Sequence, residues 1–96
     1  MKSFQNLDKL LESRVRLAVM AMLSAADWVD FTTFKEELGL SDGNLASHVR
    51  KLEDAGYLET RKSLVSRKPL TSYRATELGR ARFGKHVEAL AGMIGR

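Results

Sequence analysis

Apolar residues recur along this 96-residue chain with two different periods. Spacings of three and four mark helices, and strict alternation marks strands. Phe4, Leu7 and Leu11 keep helical spacing over residues 4–12, and Leu10 widens the stripe. Ser13 then either caps a new helix or lies inside a continuing one. Residues 14–27 are apolar on most sides, with Val15, Val19, Met22 and Leu23 together and Leu17 and Ala21 nearby. A helix of that kind is a central core helix. "WVDF" (28–31) is aromatic and β-branched and predicts a brief strand, with Trp28 anchoring it on the core. "TTFKEELGL" (32–40) predicts a short helix. Thr33 and Glu36 match a capping box, Phe34 and Leu38 form a buried pair, and Gly39 supplies a left-handed end.

The next segment, "GLSDGNLASHVRKLEDAGYLE" (39–59), raises a question of design. Ser41 is a helix cap and Asp42 suits the first turn. Leu45, Val49 and Leu52 form one apolar edge, and "AG" at 55–56 ends the helix. Asn44, Ser47, Arg50 and Lys51 lie on the other side, with nothing nearby to bury them. After it, "YLETRKSLV" (57–65) and "TSYRA" (71–75) have strand composition around a polar turn, "SRKPL" (66–70), and predict a hairpin with a basic tip. Thr76 caps a last helix over 77–94. Its Phe83, Val87, Leu90 and Ile94 follow i, i+4, i+7 and i+11. In "TELGR" (76–80) the glycine allows a close helix approach, and Met20, Met22 and Met93 read as core filling.

Charge sharpens this pattern. The formal net charge is +4. Residues 57–75 carry Arg61, Lys62, Arg67, Lys68 and Arg74 against Glu59 alone, and the rest of the chain balances. Localised positive charge is the footprint of a polyanion binder, or else of solvated cations guarding a sheet edge. With no cysteine, disulfides, thiolate metal sites and thiol nucleophiles are excluded. His48 and His86 fall on different predicted helices, so no metal site and no cofactor are expected. Neither a paired-carboxylate constellation nor a glycine-rich phosphate loop is present, and an enzyme is not expected. The longest apolar run, 17–26, is well short of the ~20 residues that span a bilayer. The acidic N-terminal region does not read as a signal peptide, so a soluble cytoplasmic protein is expected.

Two helices joined by "LGLS" are the sequence form of a helix-turn-helix. The apolar edge of the second helix packs on the core, and its other edge is left for a major groove. Asn44 is able to bond an adenine edge twice, Ser47 suits several bases, and Arg50 and Lys51 reach phosphate or guanine. Arg50 has Glu53 and Asp54 as alternative partners. His48, at the border of the apolar face, reads equally as a half-buried structural histidine or as a phosphate contact. Glu53 and Asp54 would repel phosphate, so the far end of the helix should point away. Arg61, Lys62, Arg67 and Lys68 on the hairpin reach phosphates or an adjacent minor groove.

The string "DGNLASHVRKLEDAGYLE", followed by "YRATELGRARF", resembles winged-helix transcriptional regulators related to the multiple antibiotic resistance and arsenical resistance repressor families. The likeness runs over roughly residues 12–90. It implies that the helix at 42–55 reads DNA, that the hairpin is the wing and that terminal helices form a homodimer. Ser41, Asn44, Ser47, His48 and Lys51 then stand near the groove, with Arg67 and Lys68 at the wing tip. The fold expected is mainly α with a small β-hairpin wing: one winged helix-turn-helix domain over 1–96, with a three-helix core. Residues 1–12 and 77–96 would be dimerisation helices. Phe4, Leu7, Leu11, Phe83, Val87, Leu90 and Ile94 would form the interface. The expected partner is double-stranded DNA, read at a pseudo-palindromic operator; no membrane is expected. The alternatives are a protein-contact module and a non-specific chromatin-type binder. An effector in the crevice beside the dimer helices has no residue signature.

Overall fold

The computed structural model describes residues 1–95. Its elements are α1 (Lys2–Gln5), a 3-10 turn (Lys9–Leu11), α2 (Arg14–Ala25), β1 (Val29–Asp30), α3 (Phe31–Leu38), α4 (Asp42–Asp54), β2 (Leu58–Val65), β3 (Lys68–Ala75) and α5 (Glu77–Met93). The strands form one antiparallel sheet in the order β1-β3-β2. This is a winged helix-turn-helix, mostly helical with a small sheet, as the hydrophobic pattern implied. Among the described residues no helix is long and apolar enough to cross a membrane.

The core gathers around α2. Val19, Met20 and Leu23 meet Phe34 of α3, Leu45 and Leu52 of α4, and Leu58 and Tyr73 of the sheet. The Phe34 and Tyr73 rings are 6.1 Å apart and tilted. Full burial of side chains this size stabilises by about 1.5–3 kcal/mol each.

Several boundaries differ from expectation, each for an identifiable reason. The helix expected over 4–12 is broken. Asp8 is extended, its carboxylate caps Leu10 N–H, and its own N–H donates to His86 Nδ1 at 2.9 Å. Tyr57 Oη donates to the same carboxylate at 2.5 Å. These distant partners outcompete local helix propensity. Ser13 caps a separate α2. Helix α3 is capped by Asp30, which accepts from Thr33 N–H at 2.8 Å, so it starts before the expected Thr33–Glu36 box. Trp28 is only half-buried and lies on the outer face of the sheet, under the Arg61 guanidinium. Met93 is exposed.

One close approach fixes α5 against the root of the hairpin. A Cβ on Gly79 would lie 1.9 Å from the Tyr57 carbonyl oxygen, so only glycine fits. Next to it, Thr76 N–H donates to that oxygen at 3.0 Å, and Thr76 Oγ1 caps Gly79 N–H at 3.0 Å.

Candidate nucleic-acid interface

Local chemistry sets α3 and α4 at their angle. Gly39 ends α3 at φ 64°, in the left-handed region. Ser41 Oγ accepts from Asn44 N–H at 3.2 Å and starts α4. Lys35 and Asp42 form an exposed ion pair across the turn at 2.9 Å. With Leu45, Val49 and Leu52 buried, a pitch of about 100° per residue puts Gly43, Ser47, Arg50 and Asp54 outermost. Asn44 and Lys51 flank that ridge on one side. Ala46 and Glu53 flank it on the other, facing the hairpin. Gly43 and Ala46, which sequence reasoning passed over, keep the outer surface shallow. Their only signal was the shortness of their side chains at exposed positions.

His48 lies at the border of the apolar face of α4. It is half-buried, and Nδ1 is bonded to the Arg16 guanidinium at 2.9 Å. Burial first, then Arg16 and Lys51, hold its pKa below the ordinary 6.5. Arg50 makes no salt bridge with Glu53 or Asp54. Glu53 is tied down instead as the acceptor for Thr60 Oγ1 at the hairpin root. Among the described residues, Arg50, Lys51, Lys62, Arg67 and Lys68 all lack a salt-bridge partner. They are available to an anion.

The wing is tighter than expected. Its turn is Ser66–Arg67 alone, both with positive φ (52° and 67°), and Pro69 belongs to β3. That is the backbone of a two-residue hairpin turn, which matches strand twist but normally uses Asn-Gly. The closing pair Val65–Lys68 is hydrogen-bonded in such a turn, so Pro69, opposite Leu64, aims its nitrogen at the free edge.

Strand alternation then divides the cations. Thr60 and Lys62 share a face with Thr71 and Tyr73, beside α4. Arg61 and Arg74 occupy the opposite face with Glu59. The Arg61 guanidinium stacks 4.1 Å over Trp28, and Arg74 pairs with Asp27 at 3.0 Å. Arg61 and Lys62 therefore stand on opposite faces of the hairpin, and of the two only Lys62 lies beside the helix.

The apolar residues of the termini divide as well. Leu11 is 1% exposed and belongs to the core, because the break at Asp8 turns it inward. Phe83 is half-buried against the core, and α5 seats itself through Gly79, His86 and Ala89. Leu11 thus leaves the expected interface set, and Phe83 is divided between core and surface. Phe4, Val87, Leu90 and Ile94 remain exposed, and Leu7 is half-buried in a groove that Leu90 also lines. Among the described residues no group of three or more His, Cys, Asp or Glu is placed to hold a metal ion.

A family model described as a winged helix DNA-binding domain matches residues 15–94. The chain belongs to this family. An uncharacterized protein of Methanocaldococcus jannaschii is 37% identical over 79 residues, covering 82% of this chain and 86% of that one. A transcriptional regulator homologue from Pyrococcus horikoshii has the same winged helix at 29% identity. Its TM-score is 0.88, over 98% of this chain and 95% of that one. Wild-type MarR from E. coli shares the fold at 16% identity. Its TM-score is 0.71, over 92% of this chain and 67% of MarR. The winged helix family is one of DNA-binding domains and not of enzymes. In this winged helix the free cations and the shallow outer ridge of α4 lie on adjoining surfaces.

Proposed function

We propose that this winged helix is a sequence-specific regulator of transcription that binds double-stranded DNA as a homodimer. The observation that carries the reading is the outer ridge of α4. Ser47 and Arg50 on the ridge, and Asn44 and Lys51 on its flank, are exposed and contribute nothing to the core. Asn44 and Ser47 read bases in the major groove, and Arg50 and Lys51 contact phosphate or guanine. Ser41 frames the helix N-terminus. Lys62, Arg67 and Lys68 reach the flanking backbone and minor groove. The protein works where the DNA is, in the cytoplasm.

The dimer reading rests on Phe4, Leu7, Val87, Leu90 and Ile94. Ile94 is 72% exposed and Phe4 62%. Such a patch on a small domain calls for a partner surface. A symmetric dimer sets two α4 helices into successive major grooves, with half-site centres ~10 bp apart on a pseudo-palindrome.

Anisotropy titrations at several salt concentrations test the binding, on selected genomic fragments against random duplex. Tight binding to a few fragments with a steep salt slope supports the reading. Equal affinity for every duplex leaves a non-specific binder. No binding at low salt removes DNA and turns the search to a protein partner. A sedimentation mass of one chain at micromolar concentration removes the dimer.

A further inference from the structure

Among the described residues, Arg16 is the one charged side chain from outside α4 that is hydrogen-bonded to the Asn44–Lys51 flank of the reading helix. It comes from the first turn of α2 and is half-buried. Its Nε donates to the Leu10 carbonyl at 2.6 Å, and its Nη1 bonds His48 Nδ1 at 2.9 Å. A guanidinium has only donors, so His48 Nδ1 is the acceptor and the ring carries its proton on Nε2. His48 lies four residues after Asn44 and three before Lys51, on the flank that the proposed DNA reading uses.

The other end of this link is also held. Leu10 belongs to the segment that Asp8 fixes, and Asp8 receives Tyr57 Oη from the hairpin root and donates its N–H to His86 of α5. Residues 8–10 therefore donate a hydrogen bond to α5, accept one from the wing root, and accept one from Arg16, which also donates to α4. The apolar contacts of Leu45, Val49 and Leu52 set how deep α4 sits. They are non-directional. A charge-assisted hydrogen bond is directional and sets the roll.

We propose that Arg16 is a positioning residue for DNA reading, which fixes the roll of α4 by holding His48, and that His48 itself touches no DNA. This deepens the regulator reading and rests on it. The charged groups facing His48 are Arg16 from α2 and Lys51 from α4. Protonated His48 has no acceptor left for the guanidinium and adds a third positive charge. The tether therefore exists only with neutral His48.

The test uses the full chain and two duplexes of equal length: one selected from a random pool for tight binding, and a scrambled version. Affinities are compared at fixed salt from pH 8 to pH 5.5. At pH 8, His48→Leu lowers affinity for the selected duplex about tenfold and for the scrambled one by no more than about twofold. His48→Asn, whose Oδ1 stands where Nδ1 stood, keeps the wild-type ratio. Arg16→Leu with His48→Leu is no worse in that ratio than either alone, as expected of two ends of one bond. On acidification the wild-type ratio falls below pH 6.5, since burial and the two cations lower the His48 pKa, and that of His48→Asn stays level. Equal ratios for His48→Leu and wild type overturn the proposal while leaving the DNA reading intact. So does stronger binding of both duplexes to wild type, but not to His48→Asn, at low pH, since that marks a phosphate contact. If wild type binds no duplex at all, both readings fail.

Discussion

The two faces of the β2–β3 hairpin carry the same kinds of residue and put them to different use. On the face beside α4, Lys62 is exposed and unpaired, next to Thr60 and Thr71. On the opposite face Arg61 and Arg74 are engaged with Trp28, Asp27 and Glu59. A count of positive charge treats Arg61 and Lys62 as equivalent neighbours. The pleat separates them, because successive side chains point to opposite faces. One face offers charge to a partner, and the other uses it to stiffen the root of the wing.

The comparison suggests experiments in order of expected effect. Gly79→Ala removes the seat of both faces, since the new methyl collides with the Tyr57 carbonyl. It should destabilise the chain by about 3 kcal/mol, overpacking against backbone that cannot move away. Urea denaturation measures this, and an unchanged midpoint would show that α5 slides freely over the root. Asn44→Ala sharpens the contrast between reading and steering. It should cost ~1–3 kcal/mol on the selected duplex and relax preference at one base pair. Uniform weakening on all sequences would instead assign Asn44 to the backbone.

Lys62→Ala should weaken every duplex alike and reduce the salt slope by about 1. A full slope would detach the inner face from DNA. Arg67→Gly separates tip chemistry from tip strain. A non-glycine residue with left-handed φ costs roughly 1–2 kcal/mol, so the glycine variant should melt at or above the wild-type temperature while binding DNA more weakly. Arg61→Ala is the smallest change. It should lose about 0.5–1 kcal/mol of stability with its stack on Trp28, and leave DNA affinity and salt slope as they were. A slope reduced as far as in Lys62→Ala would erase the distinction between the faces.

The sequence was legible where structure is local. Ser41 and Gly39 announce the turn of the helix-turn-helix because capping needs only residues three or four apart. The apolar edge of α4 is read directly from its spacing. The break at Asp8 was not legible, because its partners Tyr57 and His86 lie 49 and 78 residues away. That break sends Leu11 inward, which no stripe of leucines foretells. The two-residue wing turn was hidden because Ser-Arg lacks the usual Asn-Gly signal. Without the turn the register stays open, and so does the face on which each cation stands. In the sequence Arg16 is one charge at the start of an apolar helix. Only the fold brings it between Leu10 and His48.

Trp28 is the only tryptophan in the chain, and two guanidiniums crowd its ring, at 4.1 and 5.6 Å from the centroid. Its indole emission therefore carries the state of the wing root with no label attached. Any event that swings β2 away from β1 lifts Arg61 off the ring and changes both the colour and the yield of that emission. The same optical signal reports binding at the wing and unfolding of the sheet, and Arg61→Ala supplies its unstacked reference.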